Sequence, residues 1–160
     1  MTPFNVAIVR WVRGAFVFRG RSTRSEYWWP RLLVFVVNAV CLGIFLGEIG
    51  PDGLQALMEW TEQEQPTFAT LDLGPLSSLA KFALTFVVVF GLLTFFPDLA
   101  VSWRRFQDLG RPGWFHLLFW LGSALAPIAT LAELIWLAFP GTRGPNRYGE
   151  DPLFDQADIF

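Results

Sequence analysis

The chain has 160 residues, 53% of them hydrophobic and only 16% charged, with seventeen Phe and eight Trp. A soluble domain is about a quarter charged, so this balance excludes an ordinary water-soluble globule and points to lipid as the solvent. The net charge of −2 is the sum of segregated blocks: six arginines against Glu26 alone from Arg10 to Arg31, and six acids with no base from Glu48 to Asp72. Lys81 is the only lysine among twelve basic residues. Such patterning is a topology signal, and it argues against nucleic acid as a partner.

In chain order, residues 4–18 set Phe4, Ile8, Trp11, Ala15 and Phe18 on one stripe with Arg10 and Arg13 opposite. That spacing predicts an N-terminal amphipathic helix, lying in a membrane interface or packed on the protein's own body. Thr23 followed by Glu26 is a capping box, so a helix should start near Thr23. Tyr27, Trp28 and Trp29 suit an aromatic belt, Arg31 can snorkel back to headgroups, and residues 27–47 make a first span. No small-x-small cleavage site follows, so this run reads as a retained anchor, and Cys41 within it is the single cysteine, which rules out a disulfide frame. Residues 48–75 form an acidic external loop in which a short helix fits around residues 54–64. Residues 76–105 form a second span that continues past Pro97 and leaves its Arg104 end standing out in the cytoplasm.

Gly110 should end that helix and Pro112-Gly113 should turn the chain. Residues 114–139 are apolar except for Glu133, and residues 140–160 form a polar tail. Read as one long span, residues 114–139 send the tail outside. Read as a helical hairpin turning at residues 123–127, they return it. The positive-inside rule prefers the hairpin, because all eleven arginines then share one side. Length opposes it, since arms of about 13 residues reach only ~20 Å of a ~30 Å core. The fold class is therefore all-α: a multi-pass transmembrane bundle of about four membrane-embedded helices in a single domain, with the N-terminus cytoplasmic.

Three polar blocks then meet at one face: residues 19–26, 104–111 and 143–151. Lysine would satisfy topology equally well, so the arginines imply partners that use a planar, bidentate fork. Acids of the same blocks fit this, with Arg104 and Asp108 at i,i+4 and Glu26 accepting from Arg104 or Arg105. So do anionic lipid phosphates and the carboxylates of a partner protein.

The blocks "FRGRSTRSEYWW", "RRFQDLGRPGWF" and "PGTRGPNRYGEDP" resemble the bacterial inner-membrane family catalogued as domain of unknown function 805, over nearly the whole chain. The family pattern falls on Gly20, Arg21, Arg24, Glu26 and Trp28, then on Arg104, Arg105, Asp108, Gly110, Arg111, Gly113 and Trp114, and finally on Asn146, Arg147, Tyr148 and Gly149. Gln107 stands where the family usually has His, and Pro112 where it usually has Ser. The resemblance implies a multi-pass inner-membrane protein and no particular activity.

The candidate lipid-, phosphate- or ion-pair cluster is thus Arg21, Arg24, Glu26, Arg104, Arg105, Asp108, Arg111, Asn146, Arg147 and Tyr148. Glu133 is an acid inside an apolar helix, which marks an intramembrane polar site; it is expected on the outer side, at the rim or bonded to Thr130. Asn38, the amide of the first span, is expected to bond across to a neighbouring helix. His116 lacks Cys or His neighbours and reads as an interface residue rather than a metal ligand. No nucleophile elbow or phosphate loop is present, so neither catalytic residues nor a cofactor is expected. The reading is a non-enzymatic bundle whose cytoplasmic Arg/aromatic face binds anionic lipid headgroups or an acidic partner, with homo-oligomers or other membrane proteins as further partners. Its rivals are a small oligomeric transporter or channel using Glu133, and a lipid-modifying enzyme.

Overall fold

The computed structural model describes residues 2–62 and 73–153. Residues 63–72 of the expected acidic loop, with Glu64 and Asp72, and residues 154–160 of the expected tail, with Asp155 and Asp158, lie outside the described residues, as does residue 1. Among the described residues the regular elements are six α-helices and no strand: α1 (Phe4–Arg13), α2 (Arg24–Glu48), α3 (Gly50–Thr61), α4 (Ser78–Asp108), α5 (Phe115–Leu125) and α6 (Ile128–Ala138). They form two compact units, Val34–Leu92 and the remainder, Met1–Leu33 with Leu93–Phe160.

Helix α2 begins as its capping box dictates. The Glu26 amide donates to Thr23 Oγ1 at 3.2 Å, and the Thr23 amide donates to Glu26 Oε2 at 3.1 Å. Two of the four N–H groups that a helix start leaves orphaned are satisfied reciprocally. Helix α4 passes through Pro97 and ends at Gly110, whose φ is 72°. The Arg111 amide reaches Phe106 O at 2.9 Å and the Gly110 amide reaches Gln107 O at 3.0 Å. This pair of bonds is a Schellman stop, which requires a left-handed residue at that position.

Both long helices are apolar, and little of that surface is covered: 6% of the most apolar stretch of α2 and 17% of that of α4 is buried. Phe35, Val40, Leu46, Phe82, Leu92 and Leu93 all stand exposed. A soluble core helix would bury such a stretch. In the Val34–Leu92 unit, Ser77 caps α4 by accepting the Ala80 amide and donates to Glu48, both at 3.0 Å. The expected loop thus contains a helix, α3, whose Gly53 lies against buried Leu76. Asn38 departs from expectation: its Nδ2 donates to Val34 O of its own helix at 2.8 Å. A side-chain amide one turn along meets that carbonyl without any neighbour's help.

The core of the larger unit sits at the C-terminal end of α4. Ala100, Val101, Ser102, Arg105, Phe106, Gln107 and Asp108 are all buried. Polypeptide wraps this end. Phe106 packs among Phe115, Phe119 and Trp136, with ring centroids 6.2, 6.0 and 6.1 Å away. Those partners come from α5 and α6, two antiparallel arms that turn at Ala126-Pro127. The structure thus folds residues 114–139 as a hairpin. Helix α1 stops at Arg13, short of the expected residue 18, and buries Ala7 and Trp11.

Candidate functional site

Arg105 has no exposed surface. Its Nε donates to Leu137 O at 3.0 Å, one Nη to Phe139 O, and the other to the Asp108 carboxylate and to Ser22 O, the last at 3.4 Å. The carbonyls of Leu137 and Phe139 are among those that the end of α6 leaves unpaired, and a cation there also meets the negative end of the helix dipole. One guanidinium therefore ties α4, the end of α6 and the strand of chain entering α2. Sequence reasoning expected Arg104 to pair with Asp108. At i,i+3 Arg105 is as near as Arg104 at i,i+4, and only Arg105 faces the carbonyls. Arg104 instead donates from Nε to Ala100 O at 3.3 Å and lies against Gly14.

Arg21 completes a knot from the first block. Its Nε donates to Asp108 Oδ1 at 2.9 Å, its Nη groups to Gly144 O at 2.6 Å and to Thr142 O, and Asp151 lies 3.9 Å away. Two buried guanidiniums thus face two carboxylates, which offsets the cost of taking charge out of water. The third block hooks onto the same place. Thr142 donates from its amide and hydroxyl to Asp108 O at 2.9 and 3.0 Å, and Asn146 Nδ2 donates to Gln107 O at 3.0 Å. Arg147 reaches Gly110 O at 3.3 Å and stacks 4.7 Å over the Tyr148 ring. Two motif glycines are close-approach positions: a Cβ at Gly141 would overlap the Asp108 carboxylate, and one at Gly113 would overlap the Trp103 indole.

Asp151 fixes the hook's far end. Its carboxylate accepts the Leu153 amide at 3.0 Å and the Gly144 amide at 2.9 Å. These backbone donors, the Leu153 bond foremost and then that of Gly144, hold its carboxyl below the usual range, with Arg21 adding to the effect.

Glu26 pairs with Arg10, which the sequence set opposite the apolar stripe of α1, and not with Arg104 or Arg105. Among the described residues, the Arg24 and Arg143 side chains make no hydrogen bond. Both nevertheless line a cleft of about 720 Å³, together with Trp28, Trp29, Leu32 and Thr142. The lining sets four arginines and the carboxylates of Asp108 and Asp151 beside aromatic and aliphatic side chains. Arg111 lies outside it, exposed.

Glu133 is buried and bonds His116 Nδ1 at 2.5 Å. Its partner is His116 and not Thr130. The hairpin sets residue 133 level with residue 116, one residue into α5, a pairing visible in the sequence only after the turn is fixed. No cluster of three or more His, Cys, Asp or Glu suited to a metal occurs among the described residues.

The family model described as "Protein of unknown function (DUF805)" matches residues 15–150. The chain belongs to this family. Among DUF805 relatives, the inner membrane protein YhaH of Escherichia coli K12 is 30% identical over 139 residues, covering 86% of this chain and 88% of its own length. The inner membrane protein YhaI of the same organism is 32% identical over 139 residues, 86% of each chain. No solved structure matches. The matched segment contains the first two blocks and the third up to Glu150, so the DUF805 motifs in this chain coincide with residues that join α2, α4 and the α5–α6 hairpin.

Proposed function

We propose that this DUF805 protein is a multi-pass inner-membrane bundle with a cytoplasmic N-terminus, and that it holds anionic phospholipid headgroups in the cleft beside the arginine knot. Helices α2 and α4 cross the bilayer, the short α5–α6 hairpin enters from the cytoplasmic side, and α1 lies in the interface. At 25 and 31 residues, α2 and α4 are about 37 and 46 Å long, enough for a ~30 Å hydrocarbon core. Each hairpin arm of 11 residues is only about 16 Å long and is re-entrant. Placing every arginine on the cytoplasmic side follows the positive-inside rule.

The cleft carries the lipid reading. Arg21 and Arg105 are spent on Asp108 and backbone carbonyls, whereas Arg24 and Arg143 line the cleft and make no hydrogen bond among the described residues. Trp28, Trp29 and Leu32 then offer an apolar wall to the chains below a phosphate. In this reading the bundle acts as a binding module.

Native mass spectrometry of the protein released from detergent with cardiolipin or phosphatidylglycerol tests this. Each basic residue near an anionic surface is worth about 1 kcal/mol, so Arg24→Gln with Arg143→Gln should weaken retention roughly 30-fold. Retention of phosphatidylethanolamine should not change. Equal retention of anionic lipid by parent and double variant would refute the cleft's role. In a Cys41→Ser background, cysteines at Glu150 and Thr61 should label from opposite sides; labelling from one side would overturn the threading.

A further inference from the structure

The cleft beside the knot has a second candidate occupant, and it belongs to the chain itself. Asp151, Pro152 and Leu153 are part of the cleft's lining, so the described residues stop in its wall with residues 154–160 still to follow. Those seven residues read FDQADIF. They carry two acids, Asp155 and Asp158, and no base, with Phe154, Ile159 and Phe160 on either side.

The lining is complementary to that segment in charge and in polarity. Its four arginines face the carboxylates of Asp108 and Asp151, which leaves a formal excess of two positive charges. Arg24 and Arg143 are exposed and make no hydrogen bond among the described residues. Two aspartates match that excess, and a guanidinium takes a carboxylate through its planar fork. The apolar wall is uncovered as well: Trp28, Trp29, Leu32 and Leu153 all stand exposed. Phenylalanine and isoleucine side chains laid on it would leave water. Reach is ample. Seven extended residues span up to about 23 Å, whereas a sphere of the cleft's roughly 720 Å³ is about 11 Å across.

We propose that residues 154–160 dock in the cleft as a tethered acidic and aromatic plug, and that anionic lipid enters by displacing them. Asp155 and Asp158 take Arg24 and Arg143, and the Phe and Ile side chains cover Trp28, Trp29 and Leu32. The tether sets an effective concentration on the order of millimolar, so an individually weak contact competes with lipid. The displacement rests on the lipid reading given above; the docking does not.

Cys41 is the chain's single cysteine, so a full-length Cys41→Ser, Ala157→Cys protein carries one thiol, on the segment itself. In lipid-free dodecyl maltoside, the rate at which a water-soluble maleimide labels that thiol reports docking. A contact between opposite charges at such a surface is worth about fivefold, so Asp155→Asn with Asp158→Asn should speed labelling up to roughly 30-fold. Arg24→Gln with Arg143→Gln should do the same from the other side of the contact. Rates equal to the parent's in both double variants would overturn the docking. Glu150→Gln removes an exposed acid outside the lining and should leave the rate unchanged. A rise there as large as in the double aspartate variant would trace the effect to bulk charge and also overturn the docking. Phosphatidylglycerol should speed labelling of the parent, and native mass spectrometry should show the double aspartate variant retaining more of that lipid. Unchanged retention would overturn the competition. The lipid reading is judged separately, by whether Arg24→Gln with Arg143→Gln loses phosphatidylglycerol.

Discussion

Replacing Arg105 by leucine should cost the larger unit much of its stability. The guanidinium serves Leu137 O, Phe139 O, Ser22 O and the Asp108 carboxylate, and it is fully buried. Leucine supplies none of these donors. Each well-formed carbonyl contact left open costs about 1–3 kcal/mol. Removing one partner of a buried ion pair costs about 3–5 kcal/mol. Here Asp108 keeps Arg21 at 2.9 Å, so the lower part of that range applies. Leucine returns about 2 kcal/mol through its own burial. The net loss is on the order of 4 kcal/mol, a large share of the 5–15 kcal/mol typical of a folded domain. Arg105→Lys keeps the charge but gives up the fork, and should lose about half as much. Denaturant titration in dodecyl maltoside, followed by tryptophan fluorescence, measures both, with exposed Arg111→Leu as the control. If Arg105→Leu unfolds within about 1 kcal/mol of the control, the guanidinium does not hold the hairpin and the account of the knot is wrong.

Two further outcomes follow from the same geometry. Gly113→Ala should destabilise by about 1–3 kcal/mol, because its Cβ would overlap the Trp103 indole; Gly43→Ala, with nothing within 4 Å, should be neutral or slightly stabilising. Equal midpoints for the two variants would contradict the close approach. The depressed Asp151 carboxyl stabilises the hook above the ordinary carboxylate range near pH 4, and that contribution should fade as pH falls through its lower folded value. Amide exchange at Gly144, whose N–H binds Asp151, should accelerate on acidification in the parent and be pH-insensitive, beyond intrinsic chemistry, in Asp151→Asn.

Local signals in the sequence were read well, and tertiary choices were not. Thr23 and Glu26 mark the start of α2, and Gly110 the end of α4, because a cap is decided within a few residues. The break at residues 123–127 shows in the sequence for the same reason. Which arginine takes Asp108 does not, because Arg104 and Arg105 are equally near it along the helix and the carbonyls of α6 make the choice. The His116–Glu133 bond needs the hairpin first. The end of α1 at Arg13 goes against a stripe that continues to Phe18, since periodicity continues through a turn that breaks the backbone. The family resemblance supplied the blocks, but the hook's use of backbone oxygens at Thr142 and Gly144 has no side-chain signature.

Those backbone oxygens have a consequence for how the molecule is made. Arg21 and Arg105 emerge from the ribosome long before Phe139, Thr142, Gly144 and Asp151, which finally accept their protons. Until then both cations lack most of their acceptors and cannot settle among the helices. A polypeptide cut short before residue 139 therefore keeps two guanidiniums at its heart with Asp108 to share and most of their carbonyl acceptors missing.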